Sequence, residues 1–193
     1  MRTKAILIAI TIVLAMFLGL FGCASTGPIE GYDNVYLQNN IHAYTRGSNQ
    51  TEYFASYANY VQPGSGHVVV PVNTAVSIGK WRSGFALTRQ DNGQIVYFEY
   101  RSGNMGGMSV EEYLNLITAP KKASLKGLSA TDLKGIKEGR ALKGMTKKGV
   151  RIAWGYPARH RTPSLDDDVW TYWRNRWATT AVSFSNGKVT EVR

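Results

Sequence analysis

The sequence predicts an α+β fold, in which an N-terminal antiparallel β-module precedes two short helices and a three-stranded antiparallel sheet. Residues 41–101 are rich in β-branched and aromatic side chains, and Asp91-Asn92-Gly93 separates two such runs as in a hairpin. Helix-capping signals follow in residues 129–155. Strand-forming residues return at 168–192, around a second turn signal at Asn186-Gly187.

Residues 1–22 are predicted to be a lipoprotein signal peptide and not part of the fold. A basic start precedes Ala5 to Phe21, which carries no charge. Leu20-Phe21-Gly22-Cys23 resembles the bacterial lipobox, and this resemblance implies cleavage between Gly22 and Cys23 and lipidation of Cys23. A cleaved protein without lipid and an uncleaved anchor are the alternatives, since 17 apolar residues are at the lower limit for a membrane span.

The position after the lipidated cysteine indicates where the protein is sorted. Ala24 occupies it, and the Asp that is associated with inner-membrane retention in enteric-type bacteria is absent. The lipobox resemblance therefore implies an outer-membrane protein that is lipid-anchored and faces the periplasm. Residues 23–40 contain several Gly, Pro and Asn turn signals and are predicted to be a flexible tether.

The folded part is predicted to comprise two modules joined by a basic linker. Residues 41–120 form a small β-rich module that ends in a helix, which Ser109 and Glu112 begin with a capping box. Residues 121–128 are the linker. Residues 129–193 form the second module, with helices near 130–138 and 147–154 and then three strands.

The second module carries a multi-part motif. It consists of Gly144-Met145-Thr146, Val150, Gly155, Pro157, Trp170, Tyr172, Val182, Phe184, Gly187 and Val189. In this pattern, residues of about 129–192 resemble the BamE/SmpA/OmlA-like outer-membrane lipoprotein domain. The resemblance implies a BamE-like domain of two helices packed on a three-stranded antiparallel sheet. It also implies outer-membrane assembly proteins as partners, because the best-known member of the family is an accessory of the β-barrel assembly machine.

Positive charge is concentrated in the second half of the chain. Residues 23–120 hold 5 basic and 7 acidic residues, whereas residues 121–193 hold 16 basic and 6 acidic residues. Such a concentration of positive charge either forms a solvated surface or attracts anionic lipid or an acidic partner. Nucleic acid is excluded as a partner because the protein is predicted to be exported. The candidate binding surface consists of Lys147, Lys148, Arg151, Arg159, Arg161, Trp173, Arg174, Arg176 and Trp177.

No catalytic residue, metal site or cofactor is predicted. His42, His67 and His160 are scattered, and Asp166 to Asp168 have the composition of a solvated turn. We therefore predict a non-enzymatic outer-membrane lipoprotein, an accessory or scaffold in outer-membrane protein assembly or envelope integrity. The alternatives are an envelope binding or inhibitor-type protein unrelated to barrel assembly and an envelope hydrolase, for which no nucleophile–base pair is evident.

Overall fold

The structure is a computed structural model that describes residues 27–46 and 51–193. Within them the chain forms eleven β-strands and three α-helices. The strands are β1 Val35–Leu37, β2 Ile41–Arg46, β3 Glu52–Ser56, β4 Val68–Val70, β5 Ala75–Trp81, β6 Gly84–Arg89, β7 Ile95–Glu99, β8 Thr118–Ala119, β9 Val169–Trp173, β10 Thr179–Ser185 and β11 Lys188–Val192. The helices are α1 Val110–Ile117, α2 Ala130–Glu138 and α3 Lys147–Trp154.

The first eight strands form one curled sheet in the order β4-β2-β3-β7-β6-β5-β1-β8. Neighbouring strands are antiparallel except β3 and β7, which run parallel with Phe54 opposite Tyr97. The inner face of this sheet is apolar, and Phe85 and Phe98 stack there with ring centroids 4.5 Å apart. Helix α1 covers that face with Tyr113, which is fully buried together with its neighbours Leu114 and Ile117.

The last three strands form a second sheet in the order β11-β10-β9, and α2 and α3 pack with it around a second core. Trp170 and Tyr172 point into this core from one face of β9, as their spacing predicts. Residues from the first half of the chain complete the arrangement. Val61 belongs to the same core, and its N–H donates to the carbonyl of Trp173 at 2.9 Å.

The predicted fold class is wrong. The described residues are mostly sheet, with one curled eight-stranded mixed sheet and one three-stranded sheet, and they contain no BamE-like domain, because α2, α3 and the three-stranded sheet share their core with Val61 from the first half of the chain. The N-terminal sheet is mixed rather than antiparallel because the β2–β3 hairpin lies against β7, where β3 runs in the same direction as its neighbour. The last five elements follow in the predicted chain order, but they pack with Val61 and bond to Asn40 and His42.

Several local predictions are confirmed because they depend on residues close together in the chain. Ser109 and Glu112 form the capping box that begins α1. The Thr146 side chain accepts from the N–H of Gly149 and begins α3, which ends at Gly155. Asn186 and Gly187 both have positive φ angles in the β10–β11 turn, as a two-residue hairpin requires.

The segment predicted as a flexible tether is part of the folded structure from Gly27 onward. The N–H of Ile29 donates to the carbonyl of Ile78 at 2.9 Å, and β1 then pairs with β5 and β8. The predicted signal peptide, the cleavage position at Gly22 and the lipidated Cys23 lie outside the described residues. Among the described residues, no helix is both long and apolar enough to cross a membrane.

Candidate functional site

A polar cleft of about 500 Å³ opens on the outer face of the large sheet, the face opposite α1. We call it the Arg-Tyr cleft. Residues from both halves of the chain line it: Tyr44, Arg46, Tyr60, Glu99, Arg101 and Arg176. Arg176 lies between β9 and β10 of the three-stranded sheet, so the cleft forms only when the two sheets lie side by side.

Strand alternation explains why these side chains reach the outer face. In β2, Ala43 is buried in the core, so Tyr44 and Arg46 point the other way. In β7, Val96 and Phe98 are buried inward, so Tyr97 and Glu99 point outward. The cleft is therefore built from the same alternation that makes the opposite face apolar.

Arg46 is held in place from three sides. Its guanidinium makes two hydrogen bonds to the Glu99 carboxylate, at 2.9 and 3.1 Å. It lies 4.5 Å above the centre of the Phe54 ring and also donates to the Tyr44 hydroxyl. The hydrogen bond to Glu99 raises the pKa of Arg46, and burial raises the pKa of Tyr44 and of Tyr60. Both hydroxyls are therefore neutral and able to donate hydrogen bonds at pH 7.

The cleft carries an excess of positive charge. Three arginines face one carboxylate, and that carboxylate is already paired with Arg46. Among the described residues, Arg101 and Arg176 form no ion pair. Two guanidinium groups and two tyrosine hydroxyls can donate hydrogen bonds to the oxygens of a phosphate or a carboxylate. Each guanidinium group presents its N–H donors as a planar fork, which matches the geometry of such oxyanions.

An exposed tryptophan stands beside the cleft. Trp177 is 82% exposed, and the guanidinium of Arg176 lies 4.8 Å from the centre of its ring. Asn175 accepts hydrogen bonds from the N–H groups of Trp177 and Ala178, which fixes the turn between β9 and β10. The pair of Arg176 and Trp177 therefore combines a cation and an exposed apolar ring at the edge of the cleft.

The other members of the predicted binding surface have different surroundings. Lys147 is half-buried, donates to the carbonyl of Asp166 at 2.8 Å and lies 5.4 Å from the centre of the Phe184 ring, so it stabilises the second core. Trp173 is only partly exposed and stacks on His160. Arg151 lies over Tyr156.

Four further arginines and lysines of that surface are exposed and lie outside the cleft. Arg159 lies beside Gly106, on a surface depression next to α1. Arg174 lines a separate depression near the C-terminus with Arg140 and Arg193. Lys148 and Arg161 are exposed. Of the nine predicted residues, the structure brings only Arg176, with Trp177 beside it, to the Arg-Tyr cleft.

Sequence reasoning did not find the cleft residues of the first half. Tyr44 with Arg46 and Tyr97 with Glu99 repeat an aromatic residue followed, two positions later, by a charged residue. In a strand this spacing places both side chains on one face, and an aromatic residue and a charge on an outer face are typical of a contact surface. That repeat is the signal that indicates the cleft in the sequence.

Two of the described histidines, His42 and His67, lie together outside the cleft. His42 and His67 stack with ring centroids 5.2 Å apart, and His42 Nδ1 lies 3.0 Å from His67 Nε2. No group of three His, Cys, Asp or Glu side chains within residues 27–46 and 51–193 has a metal-binding arrangement. Asp166, Asp167 and Asp168 are exposed, and Asp168 pairs with Lys147 at 3.5 Å.

The fold and the cleft together define a sheet-rich protein with a basic, aromatic surface suited to binding anionic groups. Comparison of the chain with protein-family models, with curated proteins and with solved structures finds no match. The geometry of the described residues is therefore what supports a function.

Proposed function

We propose that this chain is a non-enzymatic lipoprotein, anchored in the outer membrane through Cys23 and facing the periplasm, that binds an anionic group through the Arg-Tyr cleft. The observation that carries the proposal is the pair of arginines, Arg101 and Arg176, that face the cleft without an ion-pair partner among the described residues. The tyrosine hydroxyls of Tyr44 and Tyr60 supply neutral donors beside them.

The proposed role is that of an accessory or scaffold in the cell envelope. It does not extend to barrel assembly, because that role was implied only by the resemblance to a BamE-like domain, and the described residues contain no domain of that kind. The anionic group belongs to a partner protein or to a lipid, since a carboxylate and a phosphate both accept hydrogen bonds from paired guanidinium groups.

The anchor is tested by mass spectrometry of the mature protein. We expect the N-terminal peptide to begin at Cys23 and to carry the mass of a thioether-linked lipid and an amide-linked acyl chain, because two or more chains are needed for stable attachment. Cys23→Ala removes the thiol that takes the lipid. This variant should therefore carry neither addition and should no longer be found in the outer-membrane fraction. Ser25→Ala is the matched control and should behave as wild type. An unmodified Cys23 in the wild-type protein would contradict the proposal.

The cleft is tested with sn-glycerol 3-phosphate and inorganic phosphate as probes. Full-length lipoprotein in a non-ionic detergent is titrated, and the dissociation constants are measured from NMR shifts of the arginine side chains. The double variant Arg101→Gln/Arg176→Gln removes two cations, each contributing about 1 kcal/mol, so we expect binding to weaken by a factor of about 30. Added salt should weaken wild-type binding further.

The matched control for this experiment removes two cations elsewhere. Lys126 and Lys134 are exposed and do not line the cleft, so Lys126→Gln/Lys134→Gln should keep the wild-type affinity. If the cleft variant bound both probes as tightly as the control variant, the cleft would not be an anion site.

A further inference from the structure

The first described residues lie beside the end of strand β5 that leads into β6. The N–H of Lys80 donates to the carbonyl of Gly27 at 2.9 Å, and Pro28 forms a bridge with Gly79. Further along, the N–H of Ile78 donates to the carbonyl of Tyr32 at 3.0 Å. These backbone hydrogen bonds fix the chain from Gly27 onward, directly beside the turn that joins β5 to β6.

The anchor proposed above lies only four positions before that point. A fully extended chain advances at most about 3.6 Å per residue, so Cys23 and Gly27 are separated by no more than about 14 Å. The headgroup layer on one side of a bilayer is about 5 to 8 Å thick. A lipid attached to Cys23 therefore holds the end of β5 at the headgroups or within about 9 Å of them.

The turn at this end of β5 has the side chains of a membrane interface. Arg82 is exposed, and its guanidinium lies 4.9 Å from the centre of the Trp81 ring. Trp81 in turn packs on Tyr97, with ring centroids 5.1 Å apart. Trp and Tyr concentrate at membrane interfaces, because their rings are apolar and their polar atoms remain hydrated, while arginine pairs with lipid phosphate.

A continuous row of rings joins this turn to the Arg-Tyr cleft. Tyr97 packs on Phe54 at 5.7 Å between ring centroids, and Arg46 lies above Phe54. We call the row formed by Trp81, Tyr97 and Phe54 the aromatic strip. It lies on the outer face of the sheet, where Trp81 and Tyr97 are partly exposed and Phe54 is buried beneath Arg46. The turn nearest the anchor and the basic cleft therefore share one surface.

We propose that the outer face of the sheet, with Trp81, Tyr97 and the Arg-Tyr cleft, lies against the bilayer that holds the anchor, and that the cleft binds the phosphate groups of its lipids. Three observations favour the lipid bilayer as the occupant of this surface. They are the short distance from Cys23, the Trp81–Arg82 pair and the excess positive charge of the cleft. The inference rests on the proposed function in that it takes Cys23 to be lipidated and the cleft to bind anions. It adds that the anion source is membrane lipid on the same side as the anchor.

The test measures the depth of a spin label in vesicles. Since Cys23 is the only cysteine of the chain and is occupied by lipid, Ser83→Cys supplies the single free thiol for a nitroxide. The full-length lipoprotein is reconstituted into vesicles that contain phosphatidylglycerol. Collision of the label with oxygen, which dissolves in the bilayer, is compared with collision with a water-soluble nickel chelate.

A control label reports a position away from the proposed contact. Ser185 is exposed at the end of β10 that is distant from Trp177, about 20 Å along the strand from Thr179. We expect the ratio of oxygen to nickel collisions to be higher for the label at position 83 than for the label at position 185. Arg82→Glu should lower the ratio at position 83, because a carboxylate is repelled by lipid phosphate.

The outcomes separate this inference from the proposed function. Equal collision ratios at positions 83 and 185, with no effect of Arg82→Glu, would overturn the membrane contact. Phosphate probes would in that case still bind the cleft if the proposed function is correct. Conversely, a deep label at position 83, together with probe binding that is unaffected by Arg101→Gln/Arg176→Gln, would retain the orientation on the membrane and reject phosphate binding by the cleft.

Discussion

Replacing Asp132 with alanine is expected to lower the free energy of unfolding by about 3 to 5 kcal/mol. This side chain is completely buried, and each of its oxygens bonds to one helix start. Oδ2 accepts from the N–H and hydroxyl of Ser129, at 3.1 and 2.8 Å, at the start of α2. Oδ1 accepts from the N–H and hydroxyl of Thr146, at 2.8 and 3.1 Å, at the start of α3.

The large expected effect follows from the number of donors that lose their acceptor. Alanine leaves four N–H and O–H groups beside a cavity, and an unsatisfied buried donor costs about 1 to 3 kcal/mol. It also loosens the contact between two helices, since one carboxylate bonds to the first residues of both. Urea unfolding of the full-length protein in non-ionic detergent measures the change.

Two further variants make the Asp132 prediction specific. A Cβ atom at Gly149 would overlap Asp132 Oδ1, so Gly149→Ala should also destabilise the fold, by displacing the same carboxylate. Asp167→Ala changes an exposed residue and should alter the free energy by no more than about 0.5 kcal/mol. The prediction fails if Asp132→Ala unfolds at the same urea concentration as Asp167→Ala.

Acid is expected to destabilise the protein through His42. The imidazole is buried, its Nε2–H donates to the carbonyl of Ala153 at 2.9 Å, and its Nδ1 accepts from His67 Nε2. Burial lowers the pKa of His42 from 6.5 to about 4. Burial also lowers the pKa of His67, the titratable group that faces His42.

The direction in which stability changes with pH follows from proton uptake on unfolding. Between pH 6.5 and pH 4 the unfolded chain binds a proton at His42 that the folded protein does not bind, so stability decreases as the pH falls through this range. The full contribution is present above pH 6.5, and a shift of this size corresponds to about 3 kcal/mol. Below pH 4, His42 causes no further change in the free energy of unfolding.

Urea unfolding at several pH values isolates the histidine contribution from that of the carboxylates. His42→Gln removes the group that titrates, so its unfolding free energy should decline less steeply than that of wild type between pH 6.5 and pH 4, whatever its value at pH 7. His160→Gln, which replaces an exposed histidine in the same way, is the matched control. Parallel slopes for wild type and His42→Gln would show that His42 does not control the acid response.

The parts of the fold that depend on short chain segments could be predicted from the sequence. The caps at Ser109 and Thr146 act within three residues, and the Asn186-Gly187 turn requires only positive φ angles in two adjacent residues. Which strands become neighbours depends on contacts across the whole chain. The parallel pairing of β3 with β7 and the pairing of Ile29 with Ile78 therefore had no local signal.

The candidate site could be predicted only in part, for the same reason. Arg176 and Trp177 were identified from their residue types, but Tyr44 and Arg46 approach Arg176 only because the two sheets lie side by side. Lys147 counted as surface charge in the sequence, whereas its contacts with Asp166 and Phe184 place it in a structural role. Lipidation of Cys23 stays a prediction.

The bond between His42 and Ala153 has a consequence for the rate of folding. It joins residues 111 positions apart, and the Tyr32 hydroxyl likewise reaches Asn115 across 83 positions. Contacts between distant residues require the closure of large loops before they stabilise anything, so such topologies fold in milliseconds to seconds rather than microseconds. The eight strands of the large sheet pair with one another among residues 35–119, whereas His42 obtains its acceptor only after Ala153 in the last third of the chain has been synthesised.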